Sequence, residues 1–208
     1  MNDQIMISPI DARHVSDVSL EAAETYVRAA QRRLSEDRAA GLAALDDIFR
    51  CGSLPDPALD GRYRGEIVAI DVAPGLNQMT AALANLGDPW RGKVFYAAAN
   101  RGENLVATTA TWPARLLWPF YARYRREGAM SRAFPFRTAA GPSLRDPDVR
   151  VLKLDYDIPA NPRLALSIRR ILDEVVKVAD GYYLGRAYVH WYWGSWSVAA
   201  YFALRPDE

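Results

Sequence analysis

Ile171-Leu172-Asp173-Glu174-Val175-Val176-Lys177-Val178-Ala179-Asp180-Gly181-Tyr182-Tyr183-Leu184-Gly185-Arg186-Ala187-Tyr188-Val189-His190 decides the fold class. Two runs rich in Val, Leu and Tyr flank an Asp-Gly pair. β-Branched and aromatic side chains fit a pleated, half-buried surface, and Asp-Gly supplies the positive-φ residues of a two-residue hairpin turn. The stretch predicts two antiparallel strands, at about 170–178 and 182–191. Asp180-Gly181 as the turn places Val178 opposite Tyr183, Val176 opposite Gly185, Glu174 opposite Ala187 and Leu172 opposite Val189. Opposed residues share a face. One face is then Leu172, Glu174, Val176, Val178, Tyr183, Gly185, Ala187, Val189 and Trp191. The other carries Asp173, Val175, Lys177, Leu184, Arg186, Tyr188 and His190. The first is the more apolar and is expected to point inward.

Similar runs recur at 62–70, 93–99, 104–111, 132–138, 149–157 and 196–205, broken by Gly, Pro, Asn and Asp. About eight strands at hairpin-like spacing predict an antiparallel barrel or sandwich. Ahead of them, Leu20, Ala23, Val27, Ala30 and Leu34 recur at helical spacing, followed by Leu42, Leu45, Ile48 and Phe49. Ser19 suits an N-cap, and Gly52 and Pro55 a stop, so one helix is predicted over 19–50. Its narrow Leu/Ala stripe would pack on the body or pair two copies as a homodimer. The chain therefore divides into a helical arm, 1–57, and a β-barrel domain, 58–208, with helical insertions near 76–86 and 113–127. A short helical turn is expected after Pro162. The fold class is mainly β with helical additions (α+β).

Lys plus Arg number 26 and Asp plus Glu 25, a formal net charge of +1 that offers no global field for nucleic acid. With Cys51 alone there is no intrachain disulfide, and Cys51, His14 and His190 cannot by themselves assemble a zinc site of about four ligands. No metal and no cofactor is expected. No apolar run approaches the ~20 residues of a membrane span. Met1–Ile10 lacks the basic start and apolar core of a signal peptide, so a cytoplasmic location is expected.

Several motifs fail on inspection. Gly87 to Val94 nearly spells a phosphate loop, but Val94 stands where a Ser/Thr is needed and a strand, not a helix, follows; Lys93 reads as a strand-start lysine. Gly141-Pro142-Ser143 lacks the second glycine of a nucleophile elbow. Asp155, Asp157, Asp173 and Glu174 read as a solvated face rather than a cation site. The arginine- and aromatic-rich segment 112–126 reads as a helical lid rather than a surface for nucleic acid or lipid.

Gly61-Arg62-Tyr63-Arg64-Gly65-Glu66 resembles the Gly-x-Trp-x-Gly opening of GXWXG-type domains, and more loosely that of calycins (lipocalins, fatty-acid-binding proteins and nitrobindins). Trp90-x-Gly92-Lys93-x-Phe95 is similar to a second landmark of the GXWXG type. Gly181-Tyr182-Tyr183-Leu184-Gly185 and Tyr201-Phe202-Ala203-Leu204 resemble closing strands of such barrels. Tyr63 stands where the family has Trp, and the nitrobindin Gly-x-Tyr-Pro run is missing. The resemblance implies a calycin-like barrel and a small apolar ligand.

On the inferred inner face Gly185 and Ala187 leave space, and Glu174 is a lone carboxylate beside it. A buried acid next to a cavity would bind a polar head group or act as general acid or base. Its bland counterpart is a Glu174 paired with an arginine. Tyr63, Tyr156, Tyr183 and Trp191 are expected to line the same interior. The function expected is binding of a small hydrophobic molecule. The alternative is an isomerase, cyclase or lyase using Glu174 with a tyrosine. A second alternative is a nitrobindin-like haem protein with His190 as ligand, although the strand pairing turns His190 outward.

Overall fold

The computed structural model describes residues 18–71, 90–110, 121, 123–163 and 168–207. Its strands are β1 (Gly61–Ile70), β2 (Trp90–Tyr96), β3 (Arg101–Ala107), β4 (Arg125–Glu127), β5 (Met130–Pro142), β6 (Arg150–Asp155), β7 (Ile171–Ala179), β8 (Tyr182–His190) and β9 (Trp196–Pro206). Neighbours pair antiparallel, β1 with β2 and β9, and β3 with β5. Eight strands therefore close into a barrel in the order β1-β2-β3-β5-β6-β7-β8-β9, while β4 adds to the start of β5. Closure removes the open edges that would otherwise invite pairing with another chain. Each of the eight strands read from the sequence is present. The segment expected as helix 113–127 ends instead in strand: Arg125–Glu127 pairs with Met130–Arg132 across a turn at Gly128. The rest of that segment apart from Tyr121, Arg123 and Tyr124 lies outside the described residues, as does the insertion expected at 76–86. A 3-10 turn at Ile168–Arg170 leads into β7.

The arm is two helices, α1 (Leu20–Glu36) and α2 (Arg38–Cys51), where the sequence pattern predicted one. Asp37 makes the break. Its extended backbone (φ −142°, ψ 99°) closes α1 by donating its N–H to the Arg33 carbonyl. Its carboxylate accepts from Ala40 N at 2.9 Å and caps α2. An aspartate is a preferred N-cap, and a continuous apolar stripe across it conceals the boundary. Ser19 caps α1 as expected.

The stripe packs on the body. Ala23, Val27 and Ala30 of α1 and Leu45, Ile48 and Phe49 of α2 form one apolar layer with Val176, Val178, Leu184, Tyr201 and Ala203 on the outer face of the barrel. A polar knot lies in that layer. Arg186 is fully buried, 2.7 Å from Asp46 of α2 and 2.5 Å from Asp146 of the β5–β6 loop, with its guanidinium 3.9 Å from the centre of the Phe49 ring. Tyr201 donates to Asp46 at 2.5 Å, and Arg145 reaches it at 2.9 Å. No described helix is long and apolar enough to cross a membrane.

Burial pushes the hydroxyls of Tyr121, Tyr182, Tyr183 and Tyr188 up to about 12, and burial beside the Asp173 carboxylate raises Tyr156 well above its ordinary value. An unfolded tyrosine ionises near 10. Between about pH 10 and 12 the unfolded chain therefore releases protons that the folded chain keeps, and stability falls as pH rises. The melting temperature should drop steeply in that window, with phenolate absorbance appearing together with unfolding. Complete phenol titration near pH 10 with the barrel still folded would contradict this packing.

Candidate functional site

Trp90 and Lys93 lie three residues apart in β2, so strict alternation would send them to opposite faces. The pairing with β3 skips Arg91: Trp90 opposes Val106 and Gly92 opposes Leu105. This bulge turns the alternation over. Gly92 takes φ 134° there, with the Tyr63 carbonyl oxygen so near that a Cβ would stand 2.0 Å from it. Trp90, Lys93 and Phe95 consequently all face the barrel interior.

Lys93 Nζ is the centre of a buried network. It donates to Asp173 Oδ2 at 2.8 Å, to the Tyr156 hydroxyl at 2.7 Å and to Asn104 Oδ1 at 3.0 Å. Its three N–H groups are thereby all used. Asn104 Oδ1 also accepts from Trp90 Nε1 at 3.0 Å, and Asn104 Nδ2 donates to the Phe134 carbonyl at 3.1 Å. Tyr156 donates in turn to Asp173 Oδ2 at 3.1 Å. The rings of Trp90, Phe136, Tyr156 and Phe202 surround the ammonium, with centroids 5.1–5.4 Å away. The side chains of Lys93 and Asp173 are 3% and 5% exposed, so the charges lean on each other and not on water. Burial pulls the Lys93 amine below its ordinary value, and the Asp173 carboxylate opposes that pull. Every hydrogen bond to Asp173 among the described residues uses Oδ2, which leaves Oδ1 unengaged by them.

One wall is strained. Phe134 has φ 49°, a conformation bulky residues rarely adopt, at a bulge where Gly102 opposes Phe136 and Asn104 opposes Ala133. Its N–H donates to the Tyr121 hydroxyl at 2.6 Å and its ring stacks on Tyr121 at 4.7 Å. The bulge aims the Phe134 carbonyl at Asn104 and so helps to orient the network.

Three interior glycines each seat an aromatic ring: Gly65 under Trp90, Gly102 under Phe136 and Gly185 under Phe202. The space expected beside Gly185 is therefore occupied. A Cβ on Gly185 would stand 2.2 Å from the Phe202 ring. Gly185→Val should destabilise the barrel by about 1–3 kcal/mol through overpacking. Adding Phe202→Leu should recover part of that loss in denaturant titrations. Strictly additive losses in the double variant would mean that the two sites do not touch.

The two ends of the interior differ. At the end where β1 begins and β9 finishes, Tyr63, Phe95, Tyr183 and Leu204 are buried in mutual contact. Toward the opposite end, where β2 and β7 begin, Ile67, Trp90, Val106, Ile171 and Ala187 are only half-buried. Asp173 and Ala187 are cross-strand partners, so the charged network lies directly beneath this apolar ring.

No family model and no curated protein matches the chain. A crystal structure of a protein from Thermomonospora curvata is similar at 17% identity and a TM-score of 0.47, over 86% of this chain and 99% of that one. The fold class rests on the strand pairing and not on that likeness. The two stretches that resemble the GXWXG type do pack together: Tyr63 opposes Lys93, and Gly65 makes room for Trp90.

The β7–β8 register differs from the sequence expectation by one residue. Ala179 opposes Tyr182 across the Asp180-Gly181 turn, but the pairing slips at Val178, so that Lys177 opposes Tyr183, Val175 opposes Gly185 and Asp173 opposes Ala187. This bulge at Val178, two residues before the turn, reverses the whole face of β7 and leaves that of β8 as expected. Glu174 accordingly lies on the outer face, fully buried. It is held by the Ser143 hydroxyl at 2.7 Å and Leu144 N at 2.6 Å, so the partners are a serine and a backbone amide and not the arginine considered above. Trp191 lies past the end of β8 and does not line the interior. Its Nε1 donates to Ser197 at 2.7 Å and its ring stacks on Trp193. Tyr63, Tyr156, Tyr183, Gly185 and Ala187 do face the interior, and His190 points away from it onto Trp196. Lys93, Asn104 and Asp173 went unread as a group. Their signal was phase: Lys93 with Phe95, Asn104 with Val106, and Asp173 with Val175. Among the described residues no cluster of three or more His, Cys, Asp or Glu could hold a metal ion.

Proposed function

We propose that the barrel binds a small, mostly apolar molecule through its more open end, with Asp173 Oδ1 accepting a hydrogen bond from a polar group of that molecule. The observation that carries this reading is the charged network of Lys93, Asp173, Tyr156 and Asn104 beneath the half-buried ring of Ile67, Trp90, Val106, Ile171 and Ala187. A buried ion pair is seldom better for stability than well-packed hydrophobic residues, which supports a role for it beyond the fold. Tyr156 and Ala187 would form the wall nearest the ligand, with Tyr63, Tyr183 and Gly185 behind Phe202. A second reading is acid–base catalysis on the bound molecule. It is favoured by the bridging position of the Tyr156 hydroxyl, which accepts from Lys93 and donates to Asp173 and so forms a short proton path.

The test is a fluorescence titration with aminoanthracene, an apolar probe that carries one amine donor. Ala187→Phe should fill the open end and weaken binding at least about tenfold, equivalent to 1.4 kcal/mol. Glu174→Gln, on the outer face, should leave probe affinity unchanged. Wild-type affinity in Ala187→Phe, or loss in a folded Glu174→Gln, would put the ligand elsewhere.

A further inference from the structure

The β8–β9 turn, Trp191-Tyr192-Trp193-Gly194-Ser195-Trp196, is the most aromatic stretch of the surface. Six large apolar side chains are exposed among the described residues, and three of them, Tyr192 at 71%, Trp193 at 73% and Trp196 at 39%, belong to this turn. Monomeric surfaces scatter such residues singly, and clusters mark contact sites. The turn is also tied together by hydrogen bonds and ring stacking. Trp191 N donates to Ser195 O at 2.8 Å and Gly194 N to Trp191 O at 3.0 Å, while Gly194 adopts φ 90°. Trp191 and Trp193 stack in parallel at 5.0 Å, and Trp196 stacks on His190 at 4.6 Å. Arg170 props the turn from below through the carbonyls of His190 and Trp191, at 2.5 and 2.6 Å. Rings held in place before contact lose little entropy on binding.

Next to the turn lies a surface pocket of about 360 Å³ lined by Asp157, Arg163, Arg169, Arg170, His190 and Tyr192. Three arginines there face one carboxylate, a positive patch on a chain whose formal net charge is only +1. Arg169 pairs with Asp157 at 2.6 Å. Arg163 is exposed and makes no hydrogen bond or ion pair among the described residues.

We propose that this turn docks the protein on an anionic bilayer surface, with the tryptophan rings in the headgroup region and the arginine pocket on lipid phosphate. Trp and Tyr favour the membrane–water interface, where an apolar ring and a polar edge are both satisfied. Arginine near an anionic surface is attracted by about 1 kcal/mol. Charge complementarity selects the anionic bilayer over a neutral one. The turn leaves the barrel at the same end as the half-buried apolar ring, so docking brings that end to the membrane. The inference does not depend on what the barrel holds, because its test uses no barrel ligand.

The experiment is co-sedimentation of the full chain with vesicles of phosphatidylcholine alone and with vesicles containing one-third phosphatidylglycerol. Binding is expected only to the anionic vesicles and should weaken as salt rises. Trp193→Ser should reduce it at least tenfold. Arg163→Gln should reduce it about fivefold, the equivalent of 1 kcal/mol. Both side chains are exposed, and circular dichroism will show whether the variants remain folded. Absence of binding to the anionic vesicles, equal binding to both kinds, or full binding by a folded Trp193→Ser would overturn the proposal. A change of solution mass in Trp193→Ser with vesicle binding intact would also overturn it and assign the turn to a second copy of the chain.

Discussion

Asp173→Leu should be the most damaging single change inside the barrel, costing about 3–5 kcal/mol, because it leaves the Lys93 ammonium buried without a counter-charge. Asn104 and Tyr156 would still accept from Lys93, but neither carries charge. The double variant Lys93→Met/Asp173→Leu should regain most of the loss, since an apolar pair in this cage of rings removes both desolvation costs. The pH dependence has a definite sign. With Asp173 gone, burial alone acts on Lys93, and its folded pKa drops further below the unfolded value near 10.4. The unfolded chain then binds more protons in that interval, so stability rises with pH relative to wild type. The deficit of Asp173→Leu should shrink from pH 7 toward pH 10. A double variant as unstable as the sum of the singles would show that the two side chains are not a pair.

Arg186→Met should cost about 3 kcal/mol or more, for a related reason on the other side of the sheet. The substitution keeps an apolar side chain of similar reach but removes the guanidinium that lies over Phe49 and the charge that two carboxylates meet from α2 and from the β5–β6 loop. Asp46 retains Tyr201 and Arg145, whereas among the described residues the Asp146 carboxylate keeps a 3.8 Å contact with Arg50. The loop should therefore loosen more than the helix. Limited proteolysis should cut first between Ser143 and Asp148, before any cleavage in α2. Arg186→Lys should fall between wild type and Met, because one ammonium cannot reproduce the two-pronged geometry of a guanidinium. Equal protease resistance in Arg186→Met and wild type would show that the knot does not hold the loop.

How much of this was legible follows from where local pattern and tertiary packing agree. The eight barrel strands were legible because β-branched and aromatic runs alternate with Gly, Pro, Asn and Asp. The Asp180-Gly181 turn was legible too, and the face of β8 with it. The face of β7 was not. A single bulge at Val178 reverses it, and nothing in Lys177-Val178-Ala179 announces a bulge, because each of these residues fits an ordinary strand. The same blindness hid Lys93. Its phase with Phe95 places it inside, but the extra residue at Arg91 breaks its phase with Trp90, and only Gly92 hints at that irregularity. The carboxylate chosen from the sequence, Glu174, is indeed buried, but against Ser143 and Leu144 on the outer face. Its neighbour Asp173 holds the interior position. The break at Asp37 was concealed by an apolar stripe that runs through it in phase, so that only the capping carboxylate distinguishes two helices from one.

On the proposed function, a small apolar molecule occupies the barrel directly above Lys93 and Asp173. Methyl-resolved nuclear magnetic resonance of the Ala, Ile and Val side chains, recorded as aminoanthracene is added, tests it most directly. Shift changes should concentrate on Ala187, Ile67, Ile171 and Val106, while the outer-face methyls of Val176, Val178 and Ile48 stay still. Changes confined to the outer-face set, or none at all at saturating probe, would contradict it.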